Sequence, residues 1–336
     1  MIFFHDDPIF KEVFMKKIIL LLLLIQTYYA HSNEPFLQNI KQITFSQMGF
    51  EKAGEAYFSP DGKTIIFQAV LKGEKHYQIY TLNLEEQIPK LVSTGKGACT
   101  CAYFRPDGKK IIFASSHASP LLEEDKKTTG SYVWDLTPYM NIYEANPDGS
   151  DLVALTKGPA YHAECAYSSD GKEIVYASNE SGSMNLYIMD ADGSHVRQIT
   201  HTNYSYNGGP FFSPDDNYIL FRTDREKKDY LQIFLVDRQG KETQLTDNNA
   251  VNWAPYWHPN GKLIAYTTSL NGHHRYELYL LDIETKETWR LTDSPSFDGL
   301  PVFDATGKKI LWTSKRGDGS CQIFLADFII PTTLRR

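Results

Sequence analysis

Six times along the chain, two short apolar runs recur around a turn in the same frame. AYFSPDGKTIIFQA starts at Ala56, AYFRPDGKKIIFAS at Ala102, AYSSDGKEIVYAS at Ala166, PFFSPDDNYILFRT at Pro210, PYWHPNGKLIAYTT at Pro255 and PVFDATGKKILWTS at Pro301. The turn glycine, or Asp216 in its place, falls at 62, 108, 171, 216, 261 and 307, in steps of 46, 63, 45, 45 and 46 residues. A period in the forties built only of strand-like segments marks a radial repeat or solenoid, whose units cannot bury a core alone. The repeat is therefore the fold, and one large domain accounts for most of the 336 residues.

Each unit supplies four strands. Pro presets φ at the second turn position and Gly accepts the left-handed conformation after it, so the first two runs form a hairpin. The second run, such as KTIIFQA, is rich in β-branched and aromatic residues, as a strand should be. A third follows in every copy (YQIYTLN, MNIYEAN, MNLYIMD, LQIFLVD, YELYLLD, CQIFLAD), then a shorter fourth (PKLVS, LVALT, VRQIT, ETQLT, TWRLT). The sixth copy has no fourth strand after it, whereas IKQIT at residues 40–44 precedes the first copy without a partner. A ring closed by that borrowed strand protects the edges an open array would expose. The predicted fold is all-β: a six-bladed β-propeller of four-stranded antiparallel blades over residues 37–330, closed by the N-terminal strand.

The phrases FSPDGK, LYIMDADGS and RQIT make the repeat resemble that of TolB-type propellers, which also occurs in the propellers of prolyl oligopeptidases. The resemblance covers residues 40 to 328. TolB carries a further α/β domain before its propeller, for which this chain leaves no room. Prolyl oligopeptidases add a hydrolase domain with a G-x-S-x-G nucleophile elbow, and no such sequence occurs here. The resemblance thus implies the architecture more strongly than either function.

A formal charge of −7, with basic residues scattered rather than striped, argues against a nucleic-acid partner. Lys16-Lys17 followed by the apolar run Ile18 to Ile25 reads as a secretory signal within residues 1–32, and Met15 as the true start. The apolar run is too short to span a membrane. The expected location is periplasmic or secreted, with no integral membrane segment once the signal is cleaved.

In an up-and-down blade the first and third turns share one face, and here they are monotonous Asp-Gly turns. Asp190-Ala191-Asp192-Gly193 lacks the later ligands of a calcium loop and reads as a tight turn. The opposite face carries the individuality. Residues 117–138 form an insertion in blade two, expected to act as a flap with Trp134 among its aromatics; a loop this long without periodicity is functional or disordered. At the entries to the innermost strands the copies differ chemically, which nominates Glu55, His162, Glu164, Asn207, Asn252, Trp253 and Asp298, together with Trp134, as ligand-binding residues. Cys99, Cys101, His162, Glu164 and Cys165 include every ligand type zinc takes, but not in an established spacing. Cys101 and Cys165, read as equivalent positions of neighbouring blades, are open to three readings: packing thiols, a disulfide or a metal pair. His273-His274-Arg275 and Lys315-Arg316 read as solvated loop tips. No catalytic triad is visible as a motif and no cofactor is expected.

Two functions remain. The first is an exported scaffold binding a protein or cell-envelope component through the flap-bearing face. The alternative is an enzyme or carbohydrate-binding propeller with a site, metal-assisted in one version, at the channel mouth.

Overall fold

The computed structural model describes residues 34–120 and 136–331. The signal segment, Trp134 and residues 121–135 of the insertion lie outside the described residues.

The chain begins with β1 (Leu37–Gln42) and then lays down blade one as β2 (Phe50–Phe58), β3 (Thr64–Leu71), β4 (Gln78–Asn83) and β5 (Pro89–Leu91). Blade two is β6 (Cys99–Phe104), β7 (Ile111–Ser115), β8 (Asn141–Ala145) and β9 (Val153–Ala154). Blade three is β10 (His162–Tyr167), β11 (Glu173–Ser178), β12 (Asn185–Asp190) and β13 (Arg197–Gln198). Blade four is β14 (Asn207–Phe212), β15 (Tyr218–Thr223), β16 (Gln232–Asp237) and β17 (Glu242–Gln244). Blade five is β18 (Asn252–Trp257), β19 (Leu263–Thr268), β20 (Glu277–Asp282) and β21 (Thr288–Arg290). Blade six takes β22 (Asp298–Phe303), β23 (Lys309–Ser314) and β24 (Gln322–Phe328) from the C-terminal end and completes its sheet with β1. The ring is a six-bladed propeller closed by its N-terminal strand.

The outermost strands are only two to six residues long, too short to be held by ladder bonds alone. One hydroxyl per blade fixes them. Ser93, Thr156, Thr200, Thr246 and Thr292 each accept the backbone N–H of Ile79, Ile142, Leu186, Ile233 and Leu278 at 2.8–3.0 Å. In blade six the acceptor is Thr44, just past β1, which takes the N–H of Ile323 at 2.9 Å. The IKQIT segment thus contributes the same clamp as VRQIT or ETQLT, and the start of β1 buries Leu37 against Phe328 in the blade-six core. Burying two such side chains contributes roughly 1.5–3 kcal/mol each.

On the turn face, the glycines at 62, 108, 171, 261 and 307 are left-handed, and so is Asp216. Aspartate tolerates that region, and Asp216 gains by it: its carboxylate accepts the N–H and hydroxyl of Ser169 in the neighbouring blade at 2.8 and 2.5 Å.

Candidate functional site

Every innermost strand carries a β-bulge, seen as a register shift between Gly54 and Ala56, Thr100 and Tyr103, Ala163 and Ala166, Gly208 and Phe211, Trp253 and Tyr256, and Gly299 and Val302. Within each shift one residue is left-handed: Glu55, Cys101, Glu164, Gly209, Ala254 or Leu300, with φ between 48° and 58°. Five of the six are not glycine, and each such residue costs about 1–2 kcal/mol of backbone strain. Recurrence in all six blades makes this strain architectural. A bulge re-aims a side chain and leaves a ladder donor unpaired, and here the preceding blade supplies acceptors. Thr313 Oγ1 takes the N–H of Glu55 at 3.1 Å, Thr267 Oγ1 that of Leu300 at 3.0 Å, and Glu164 that of Gly209.

Two residues beyond the bulge, aromatic rings from opposite blades meet on the axis. Tyr57 of blade one lies 5.8 Å from Phe211 of blade four, and Tyr103 of blade two bonds Tyr256 of blade five, hydroxyl to hydroxyl, at 3.0 Å. Tyr57–Tyr103 and Phe211–Tyr256 contacts at 5.1 and 5.0 Å knit the layer together. The aromatic layer plugs the axis, and the ring of bulges lies directly beside it, toward the variable-loop face.

The chemistry of that ring is uneven. Glu164 is buried and heavily bonded: Arg222 Nη2 donates to it at 3.0 Å and the Tyr206 hydroxyl at 2.7 and 2.8 Å, besides the Gly209 amide. Arg222 comes from β15, not from a bulge. It reaches the axis because Gly209 has no side chain, and a β-carbon there would collide with the guanidinium. Burial works against the Arg222 charge, but Tyr206 and Glu164 outweigh it and hold the guanidinium protonated. Burial pushes Tyr161, Tyr206 and Cys101 well above their usual ranges, Glu164 adding to all three.

Glu55 has no such support. Its carboxylate accepts a long 3.4 Å bond from Tyr57 and lies near the Cys101 thiol. Desolvation, with some help from Glu164 and against the pull of Cys101 and Arg222, raises its pKa to about 7.

The structure therefore brings Glu55 and Glu164 together at the axis. Asn207, Asn252 and Asp298 are fully buried in blade junctions. Asn207 donates to Thr202 and Met184, Asn252 to Gln232 and Asn248, and Asp298 accepts from Trp312 and Arg316. His162 packs near Tyr176, and burial lowers its pKa, keeping it neutral at pH 7. Trp253 stands on the variable face with Phe297 and Tyr276 at 6.3 and 6.4 Å, and those two lie 6.1 Å apart.

The bulge also corrects the register read from the sequence. Glu164, not Cys165, is the counterpart of Cys101; Cys165 sits one residue further on, and its thiol donates to the Cys101 carbonyl at 3.5 Å. All four cysteines are free thiols, and Cys99 is buried in a hydrophobic cluster beside Ser115. Among the described residues no three His, Cys, Asp or Glu side chains are grouped to hold a metal ion, so Cys99, Cys101, His162, Glu164 and Cys165 do not form one set. Nor are Arg275 and Arg316 merely solvated: Arg275 pairs with Glu277 and Asp293, and Arg316 with Asp298 over the Trp312 ring. The residues missed were Arg222 and Tyr206. The available signal was an arginine inside an apolar strand, facing a Gly-Gly pair where every other copy carries at least one side chain.

The TolB beta propeller domain family matches residues 133–273 and 209–329, together more than half of the chain. Over 136 residues, 38% of this chain and 19% of the relative, the sequence is 27% identical to the uncharacterized peptidase YuxL of Bacillus subtilis. Over 77 residues, 23% of this chain and 17% of the relative, it is 34% identical to the Tol-Pal system protein TolB of Francisella tularensis. The matched stretches span under a fifth of these curated relatives. Among solved structures, a putative TolB from Agrobacterium tumefaciens superposes with a TM-score of 0.59 at 22% identity, covering 83% of this chain and 91% of that one. Oligogalacturonate lyase from Vibrio parahaemolyticus gives 0.55 at 14%, covering 88% and 94%. At such identities the structural likeness speaks to the fold alone. Among the described residues no helix is long and apolar enough to cross a membrane. On the family match and the six closed blades, the chain belongs to the TolB β-propeller family.

Proposed function

We propose that this chain is an exported, non-catalytic binding propeller that receives a protein or cell-envelope partner at the axial mouth of its variable-loop face. The observation that carries the reading is the chemical difference between the two faces. Six bulges of differing chemistry converge above an aromatic plug, next to the half-buried Trp253–Tyr276–Phe297 group, whereas the opposite face repeats one turn. Loops on a rigid scaffold are where recognition is built, and aromatic residues are enriched at interfaces. The kinship with a Tol-Pal system protein favours an envelope partner, and Lys16-Lys17 with the apolar run after it favours export to the periplasm or beyond. For the enzyme alternative, His162 packs against Tyr176 and, among the described residues, no histidine hydrogen-bonds Glu55 or Glu164.

The test is site-specific photo-crosslinking in the cell envelope, with the reactive residue at Trp253 on the variable face or at Lys109 on the turn face. A discrete adduct from Trp253 and none from Lys109 is expected. Adducts from both positions, or from neither, overturn the reading, and fractionation with N-terminal sequencing checks export.

A further inference from the structure

We infer that the axial mouth takes an organic cation, an ammonium or guanidinium group, with Glu55 as its counter-ion. The inference rests on the axial mouth being the binding site and names the chemistry received there.

The ring holds two carboxylates and one guanidinium, and the guanidinium is committed. Arg222 pairs with Glu164 at 3.0 Å and also donates to the Tyr206 hydroxyl at 2.9 Å, both side chains being almost wholly buried. Glu55 is left with one long bond from Tyr57 and the thiol of Cys101. Among the described residues no lysine, arginine or histidine forms an ion pair with it. The titratable groups acting on it are Cys101 from β6, Glu164 from β10, Arg222 from β15 and Tyr57 from its own strand. A desolvated carboxylate without a cationic partner is costly, and with Glu55 ionised the ring as a whole is short of one positive charge.

The surroundings choose the kind of cation. Leu300 and Ala254 offer no side-chain oxygen, and calcium or magnesium would need six or more oxygen ligands. Beneath the ring lie Tyr57, Tyr103, Phe211 and Tyr256, and aromatic faces attract ammonium and guanidinium groups. One carboxylate above an aromatic floor suits a soft, multi-donor organic cation. Its source is either a free amine or a basic side chain of a partner.

Calorimetric titration of the purified chain at pH 7 separates these. The probes are agmatine, the blocked tripeptides acetyl-Gly-Lys-Gly-amide and acetyl-Gly-Arg-Gly-amide, and the uncharged acetyl-Gly-norleucine-Gly-amide, each in two buffers of different ionisation heat. Agmatine or the basic peptides should bind and the norleucine peptide should not. Peptides alone would identify a partner's side chain; agmatine alone, a free amine. Because Glu55 must ionise, about half a proton should be released per cation bound at pH 7 and almost none at pH 9. Glu55→Gln should weaken binding about tenfold or more. If that variant does not melt cooperatively, proton release from the unsubstituted chain decides. No binding of any cation at millimolar concentration, equal binding of the norleucine peptide, no proton release, or unchanged affinity in a folded Glu55→Gln protein overturns the inference. A Trp253 crosslink without cation binding removes this inference and leaves the scaffold reading standing; cation binding without a crosslink does the reverse.

Discussion

The guanidinium of Arg222 fills the space that a β-carbon on Gly209 would need, so the two residues act as one unit split between β15 and β14. Gly209→Ala should force Arg222 off Glu164 and place alanine at a φ of 57°. The expected loss is about 1–3 kcal/mol in urea denaturation. The combination with Arg222→Met should fall well short of additivity, since both break the same contact.

Arg222→Met alone leaves Glu164 buried without its cation, a change that costs about 3–5 kcal/mol. Adding Glu164→Gln should restore most of that, because the charge in need of a partner is gone. A double-mutant cycle measures it; equal destabilisation in the single and double variants would show that Glu164 is not held by Arg222.

Glu55 gives stability a pH dependence of definite sign. Its pKa rises from an ordinary 4.5 to about 7 on folding, so the folded state holds the extra proton between those values. Stability present below about pH 4.5 is lost as pH rises through about 7, by up to roughly 3 kcal/mol. Glu55→Gln should therefore melt with the unsubstituted protein near pH 4.5 and several degrees above it at pH 8.5. Parallel melting curves across that range would refute the assignment.

The closing strand predicts two graded effects. Thr44→Val strands the buried N–H of Ile323 and should cost about 1–3 kcal/mol. Deleting residues through 45 uncovers the edge of β24, and aggregation with loss of cooperative unfolding is expected. A truncated chain that stays monomeric with an unchanged melting curve would contradict this.

The ring was legible because a repeat announces itself, and the count of fourth strands located its closure at residues 40–44. The hydroxyl clamp was already written in the recurrent Ser or Thr ending LVS, LVALT and IKQIT. The axial chemistry was not. Strand entries such as Asn207, Asn252 and Asp298 looked like channel lining, yet the bulge two residues later is what turns a side chain to the axis. No composition rule marks a bulge when glutamate, cysteine and leucine all occupy it. Nor does a strand arginine declare its direction; Arg222 is drawn inward only by what Gly209 lacks.

The pairing of Leu37 with Phe328 has a consequence in time rather than in space. Five blades close as hairpins of consecutive strands, but the sixth joins the first strand made to the last. Until β24 emerges, the chain is an arc whose terminal edges are unprotected, and contacts between distant segments form slowly. Such half-built chains are prone to stick to one another. The interval between the birth of β1 and its capture by β24 is therefore the stage at which this protein most depends on being kept apart from its copies.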